Sequence, residues 1–136
     1  MVSRSFPLAT RAKVRDGHLL TLEASPDYIL YPAAPRRAAD LVPEAKIIVL
    51  LRNPVDRAFS HHGQAVRLGF ESLSFEEAID AEPSRLGSDL EGLEKDPDFF
   101  SRSFHHFSYV TRGRYAEQLR RWFEWFPREN FLFIKR

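Results

Sequence analysis

Two residues eight positions apart, Arg52 and Ser60, are of the types that hold an anion between them. Arg52 is the first polar residue after an aliphatic run, and Ser60 lies about two turns into the segment that follows. Asn53 and Pro54 are typical of a helix start, because the amide can cap a free N–H group and proline has none to leave unpaired. A guanidinium, free N–H groups and the positive end of a helix dipole therefore meet at one place. This pattern predicts a phosphate-binding site at a strand-to-helix junction.

A strand and a helix must position these residues. Residues 47–51 are all aliphatic, without polar alternation, which is typical of a parallel strand covered on both faces. We predict this strand over residues 46–51 and a helix over 54–68, with Gly69 at the helix C-cap. Because strands alternate with helices along the chain, the pattern favours an α/β fold with a parallel sheet.

Cap residues and periodicity predict the remaining elements. We predict two more strands, over residues 18–24 and 130–134. We predict three more helices, over residues 35–42, 74–81 and 115–126. The basic residues 1–17 are expected to be a loop, and the acidic, turn-rich residues 82–103 an exposed connection.

Composition limits the classes of function. The chain has 136 residues, 43% of them hydrophobic, which suffices for one core and one modest domain. A formal net charge of +1 gives no bulk attraction to nucleic acid or to an anionic membrane. Without cysteine there is no disulfide or thiolate metal site. Since no apolar run reaches a membrane span of ~18 residues and no signal peptide is visible, we expect a cytoplasmic protein without membrane or nucleic-acid partners.

The segment from Lys46 to Ser60 resembles the 3′-phosphate-binding segment of sulfotransferases that use 3′-phosphoadenosine 5′-phosphosulfate (PAPS). The resemblance is to the branch of heparan sulfate N- and O-sulfotransferases and their bacterial relatives. In that family the strand ends in Arg-Asn-Pro and continues through Asp-Arg-Ala-aromatic-Ser, as it does here. Three further blocks are similar and occur in the family's order, at residues 22–28, 34–46 and 113–127. The resemblance covers residues 6–134.

The resemblance implies a partial P-loop-like three-layer fold, with a central parallel sheet flanked by helices. It implies transfer of a sulfuryl group from PAPS to an acceptor hydroxyl or amine, with a carbohydrate as the expected acceptor and no metal. Arg52 and Ser60 would bind the 3′-phosphate of this co-substrate. Tyr115 is the best aromatic candidate for a nucleotide contact, because the matching family region lies near the nucleotide. Glu23 lies in a segment that the family places near the acceptor, which makes it a candidate substrate-binding residue.

Each charged candidate also has a structural interpretation. Arg52 could cap a sheet edge, and Ser60 could donate to a helix carbonyl. Arg36 and its neighbour Arg37 begin a predicted helix, where the dipole disfavours cations; they are either a surface pair or, through Arg36, a contact to an anionic acceptor. Arg57 is interpreted as a solvated helix arginine.

The two histidine pairs, residues 61–62 and 105–106, are interpreted as surface residues. Adjacent helix residues point in different directions, and no cysteine or carboxylate cluster completes a metal-ligand set. The aromatic residues at 122–126 are either core or an adenine platform, and their helical spacing favours core.

Two parts of the family pattern have no counterpart in this sequence. One is the Lys-x-Gly-Thr-Thr loop that holds the 5′-phosphosulfate, and the other is the glutamate after it that acts as general base. The six glycines are scattered and form no phosphate-binding cluster. We therefore assign no catalytic residue and expect residues 1–136 to be the middle portion of a sulfotransferase domain. The alternative is a non-catalytic remnant or anion-binding interaction module that associates with itself through an exposed sheet edge.

Overall fold

The computed structural model describes residues 13–15, 18–20, 22–96 and 99–136. Two strand pairs are present in this part of the chain: β1 (Lys13–Arg15) is antiparallel to β2 (His18–Leu20), and β3 (Ile47–Leu51) is parallel to β4 (Phe131–Lys135). The helices are α1 (Ala34–Leu41), α2 (Pro54–Arg67), α3 (Phe75–Leu86), α4 (Asp89–Lys95), α5 (Arg102–Phe107) and α6 (Tyr115–Phe123), with 3₁₀ turns at Thr111–Gly113 and Arg128–Asn130. Among the described residues no helix is long and apolar enough to cross a bilayer.

The β3–β4 pair runs in register from Ile47 opposite Phe131 to Leu51 opposite Lys135. Parallel neighbours require a long crossover connection, and α2 to α6 lie within it. The predicted α/β class with a parallel sheet is therefore confirmed.

The two faces of this strand pair differ in burial. On one face Val49 is 8% exposed, and Phe131 packs edge-to-face on Phe123 of α6 with 5.0 Å between ring centroids. The opposite face carries exposed aliphatic side chains. They are Ile48, Leu50, Leu132 and Ile134, exposed by 54, 74, 56 and 44%.

The prediction that residues 47–51 are covered on both faces is thus wrong within the described part of the chain. An aliphatic run shows what a strand can bury, whereas its actual burial depends on which elements pack against it. Here the aromatic residues of α6 and the turn after it cover one face. Trp122 and Phe126 of that region are buried and stack at 5.8 Å, which confirms core as their role, whereas Trp125 is 45% exposed.

The start and end of α2 lie close to their predicted positions. Asn53 caps the helix, since its Oδ1 accepts from the Val55 N–H at 2.9 Å, and Pro54 is the first helical residue. The helix ends at Arg67, and Gly69 has φ +75°, the left-handed conformation that glycine adopts without strain. α1 and β4 are each shifted by about one residue from the predicted ranges.

The predicted exposed connection over residues 82–103 is wrong. The capping box of Ser74 and Glu77 is present, but α3 continues past Pro83 to Leu86, and α4 and the start of α5 follow. The reason is a buried stripe at i, i+4 and i+8, formed by Ala78, Glu82 and Leu86. Glu82 makes this stripe look polar in the sequence.

The predicted strand over residues 18–24 is shorter than expected. β2 ends at Leu20, and residues 22–25 have no regular structure. Of the predicted loop over residues 1–17, residues 13–15 form β1, while 1–12, 16 and 17 lie outside the described residues. Because β2 pairs with β1 and has no partner in the β3–β4 sheet among the described residues, the strand before Glu23 is not part of the parallel sheet.

We expect Val49→Ala to lower the free energy of unfolding more than Leu50→Ala does, although Leu50→Ala removes the larger group. Val49 lies on the covered face, so losing its two methyl groups should lower the free energy of unfolding by about 2 kcal/mol. Leu50→Ala removes more apolar surface from the open face and should cost less than about 0.5 kcal/mol. Urea denaturation of both variants measures this difference. Equal losses would mean that the face carrying Leu50 is covered in solution.

Candidate functional site

Arg52 directly follows β3, and its exposed side chain makes no hydrogen bond or ion pair with another described residue. Ser60, in the second turn of α2, is exposed, and its hydroxyl likewise has no partner in the described part of the chain. By contrast, the Ser84 hydroxyl donates to the Ala81 carbonyl at 2.8 Å. The structural interpretations of Arg52 as a sheet-edge cap and of Ser60 as a donor to a helix carbonyl therefore find no support.

The start of α2 is open to solvent. Residues 52–56 are all exposed, and the amide of Asn53 already binds one of the first N–H groups. Asp56 in the first turn complements the positive end of the helix dipole. An anion at this junction would therefore depend chiefly on the guanidinium of Arg52.

Residues 108–114, here called the 108–114 segment, pack on the first turn of α2. A Cβ added to Gly113 would lie 3.0 Å from the Cβ of Pro54, so only glycine allows this approach without displacement. The Arg57 guanidinium donates to the carbonyl of Tyr109 in the same segment. Tyr115 follows directly as the first residue of α6. The structure thus places the segment that leads into Tyr115 against the first turn of α2.

Arg57 corrects the prediction of a solvated helix arginine. It is half-buried, its guanidinium binds the Tyr109 carbonyl, and its Nε is buried without a partner among the described residues. Burial lowers the pKa of Arg57, an effect that the nearby Tyr115 and Glu82 oppose. Through Nη2 this arginine holds two segments together, which leaves it less free than Arg52 to bind a ligand.

A second arginine of the region is also engaged. The guanidinium of Arg112 donates to Asp27 Oδ1 at 2.5 Å, to Ser108 Oγ at 2.9 Å and to the His105 carbonyl at 3.2 Å. All of its donor nitrogens therefore have partners within the protein, and Arg112 is a structural residue. Arg52 differs from it, because its guanidinium has no partner among the residues that the structure describes.

Two buried carboxylates hold the 108–114 segment from its other side. Glu82 Oε2 accepts from the Val110 N–H at 2.6 Å and Oε1 from the Thr111 N–H at 2.8 Å. Glu71 Oε2 accepts from the Tyr109 hydroxyl at 3.0 Å. Sequence reasoning missed both residues, because an isolated glutamate carries no local signal that it will be buried.

Of the two carboxylates, Glu71 is the one that forms an ion pair, with Arg85. Arg85 donates to it through both Nη atoms, at 2.5 and 3.1 Å, and the N–H groups of Ser72 and Leu73 donate at 2.9 and 3.0 Å. The Arg85 hydrogen bonds lower the pKa of Glu71 to about 2, with the backbone and tyrosine donors adding to this effect and burial opposing it. Burial and the Glu71 carboxylate raise the pKa of Tyr109.

The two predicted acceptor residues lie apart from this arrangement. Glu23 is exposed and accepts from the Tyr28 hydroxyl at 3.0 Å. Arg36 is exposed and lies 3.9 Å from Asp40 one turn later in α1, an ordinary surface ion pair. No hydrogen bond or ion pair within the described residues links either of them to Arg52 or Ser60, so their roles stay predictions.

His61 and His62 are partly buried, which corrects the surface interpretation for this pair, whereas the side chain of His105 is 41% exposed. His61 packs on Tyr109 with 4.9 Å between ring centroids, and His62 Nε2 lies 2.9 Å from the Leu73 carbonyl. Burial, with Arg112 and Arg57 nearby, lowers the pKa of His61 to about 4. Among the described residues no three histidine or acidic side chains are grouped as metal ligands.

Comparison with known proteins identifies sulfotransferases as relatives of this chain. A family model described as "Sulfotransferase domain" matches residues 33–135, a range that contains Arg36, Arg52, Ser60 and Tyr115. The chain is 32% identical over 127 residues to heparan sulfate glucosamine 3-O-sulfotransferase 6 of Mus musculus, covering 88% of this chain and 30% of that protein. It is 37% identical over 118 residues to bifunctional heparan sulfate N-deacetylase/N-sulfotransferase 3 of Homo sapiens, covering 82% of this chain and 12% of that protein.

A solved structure is also similar. The crystal structure of a sulfotransferase from Alicyclobacillus acidocaldarius superposes with a TM-score of 0.64 at 35% identity, over 80% of this chain and 39% of that one. This similarity confirms the predicted P-loop-like α/β fold. The chain spans 12 to 30% of the length of the two curated relatives named above.

We expect Glu71 to make stability depend on acid pH. Its folded pKa of about 2 lies below the ordinary value of 4.5, so its contribution is present above pH 4.5 and is lost as the pH falls towards 2. Glu71→Gln should lower the free energy of unfolding at pH 7 by about 3 kcal/mol, and the two proteins should converge near pH 2. Urea denaturation from pH 2 to 7 measures this. The control is Glu76→Gln, an exposed glutamate of α3, whose curve should follow that of the unaltered chain; a constant offset for Glu71→Gln at every pH would contradict the assignment.

Proposed function

Because this chain belongs to the sulfotransferase family, we propose that the protein transfers a sulfuryl group from PAPS to a hydroxyl or amine of a carbohydrate. The relatives named above support a carbohydrate acceptor, since their names describe action on heparan sulfate or its glucosamine. The observation that carries the proposal is the β3–α2 junction. There Arg52 directly precedes α2 and Ser60 lies in its second turn, and neither side chain has a hydrogen-bond or ion-pair partner in the described part of the chain; both lie within the range that the family model matches.

The proposed roles follow from the chemistry of the side chains. Arg52 would donate charge-assisted hydrogen bonds to the 3′-phosphate of PAPS, and Ser60 would donate one hydroxyl to the same anion. Tyr115, which begins α6 directly after the 108–114 segment, would contact the nucleotide. Glu23 and Arg36 would lie on the acceptor side. Sulfuryl transfer, like phosphoryl transfer, depends mainly on positioning and on stabilising charge, and this chain would supply the first through its hold on the nucleotide.

A second candidate function is an anion-binding interaction module without turnover. The open aliphatic face of β3 and β4 favours it, because such a face on a monomer is typical of an interaction surface. In that case the chain should self-associate, and Leu50→Lys together with Leu132→Lys should shift it to monomer in sedimentation velocity. A monomeric unaltered chain at all concentrations would remove this candidate.

Nucleotide titration tests the leading proposal. Isothermal titration calorimetry with adenosine 3′,5′-bisphosphate should show tighter binding than with adenosine 5′-monophosphate, because only the first has the phosphate that Arg52 and Ser60 would hold. Equal binding of the two nucleotides, or no binding of either, would remove the 3′-phosphate site from this chain.

We expect Arg52→Ala to weaken binding of the bisphosphate roughly 10- to 150-fold, since a hydrogen bond to a charged group is worth about 1.5–3 kcal/mol. Ser60→Ala should cost less, on the order of 1–2 kcal/mol, and the two losses should be less than additive because both side chains serve one phosphate. Calorimetry of the single and double variants measures both effects.

Two controls accompany these variants. Arg67→Ala removes an exposed arginine from the last turn of the same helix and should bind the bisphosphate as the unaltered chain does. Neither Arg52→Ala nor Ser60→Ala should weaken binding of the 5′-monophosphate. If Arg52→Ala weakens both nucleotides equally, Arg52 stabilises the fold and does not bind the 3′-phosphate.

A further inference from the structure

We propose that Glu82 is a positioning residue for the nucleotide site. By binding the backbone of the 108–114 segment, it keeps that segment against the first turn of α2 and Tyr115 in place to contact the nucleotide. This inference rests on the function proposed above, and it adds a residue of α3 that neither the motif nor the comparisons single out.

The geometry of Glu82 is unusual for a glutamate. The residue is 3% exposed, and its two carboxylate oxygens accept from successive backbone N–H groups, those of Val110 and Thr111, at 2.6 and 2.8 Å. Among the described residues it has no ion-pair partner within 4.0 Å. A buried carboxylate is costly unless its hydrogen bonds are satisfied, so the segment must keep both N–H groups turned towards Glu82.

The next two peptide units of the segment are also bound. The buried Gln118 of α6 donates through Nε2 to the carbonyls of Thr111 and Arg112, at 3.0 and 3.2 Å. The backbone around Thr111 is therefore held by α3 through its N–H groups and by α6 through its carbonyls. Such a segment has little freedom to rotate, and its position follows that of Glu82.

The segment reaches the nucleotide site through two contacts. Gly113 lies against Pro54, the first residue of α2, and the Tyr109 carbonyl accepts from Arg57 one turn later. Tyr115 comes two residues after Gly113. Rotation of the Val110 and Thr111 peptides would therefore displace Tyr115 from the turn where Arg52 would hold the phosphate.

A glutamine at position 82 is the sharpest change, because it has the same size but replaces one acceptor oxygen by an NH₂ group. That group would face a backbone N–H and repel it, so the segment must shift. Glu82→Gln should weaken binding of adenosine 3′,5′-bisphosphate about tenfold, within the range of coupling between neighbouring residues. Glu77→Gln is the matched control: it removes a carboxylate from the same helix, where Glu77 accepts from Ser74, and should lower the melting temperature while leaving affinity within about twofold.

A double-mutant cycle with Tyr115→Ala separates positioning from general destabilisation. If Glu82 acts through Tyr115, Glu82→Gln should have no further effect on the dissociation constant once Tyr115 is alanine, although it still lowers the melting temperature. The same tenfold loss in both backgrounds would overturn the proposal, as would full affinity of a folded Glu82→Gln protein. If Glu82→Gln does not fold, Glu82→Asp decides by the same criteria, because its shorter side chain cannot reach both N–H groups.

The unaltered chain separates this inference from the function on which it rests. If that chain does not prefer the bisphosphate over the 5′-monophosphate, the proposed function fails. If it does prefer the bisphosphate while the Glu82 variants bind as the unaltered chain does, only the role of Glu82 fails.

Discussion

The contact between the 108–114 segment and the first turn of α2 connects the two halves of the chain. On one side lies the β3–α2 junction with Arg52, and on the other lies α6, which begins with Tyr115. Gly113 permits the close approach because any larger side chain would meet Pro54. Arg57 then binds across the contact to the Tyr109 carbonyl. The proposed nucleotide site at this turn would thus depend on residues separated by about half the chain.

Buried charge stabilises this contact from behind. Glu71 and Glu82 both lie on or next to α3, and both accept hydrogen bonds from the 108–114 segment. Desolvating a carboxylate is unfavourable, and each of the two is compensated by several short hydrogen bonds, in the case of Glu71 with the guanidinium of Arg85. An apolar pair at these positions could fill the same volume, but it would leave the backbone N–H groups of Val110 and Thr111 without acceptors.

The open face of β3 and β4 is apolar and exposed, whereas the contact described above is charged and buried. Its four aliphatic side chains are unburied, while the face towards α6 is filled by aromatic rings. The relatives named above are longer than this chain, which covers 30% of the Mus musculus protein and 39% of the solved structure. The described residues combine the proposed nucleotide-binding segment with a sheet face that is available for packing.

The sequence by itself determined the family, the α/β class and the β3–α2 junction. These depend on local signals, namely an aliphatic run, the cap formed by Asn53 and Pro54, and a sequence motif that can be recognised without knowledge of tertiary contacts. The predicted helix over residues 54–68 therefore agrees with α2 to within a residue. The types and spacing of Arg52 and Ser60 identify them as candidate anion-binding residues. The proposed binding roles of these two residues and of Tyr115 remain predictions.

Only the tertiary structure decided the rest, because burial depends on neighbours that are distant in sequence. Glu82 within an acidic, proline-containing stretch predicts an exposed connection, yet its partners Val110 and Thr111, 28 and 29 residues away, place it in the core. Local sequence alone does not distinguish Arg57 from Arg52. Only the fold shows that Arg57 binds the Tyr109 carbonyl while Arg52 is exposed to solvent. An aliphatic strand likewise does not specify which of its faces will be covered. Each of these outcomes is a property of long-range contacts, which no local pattern contains.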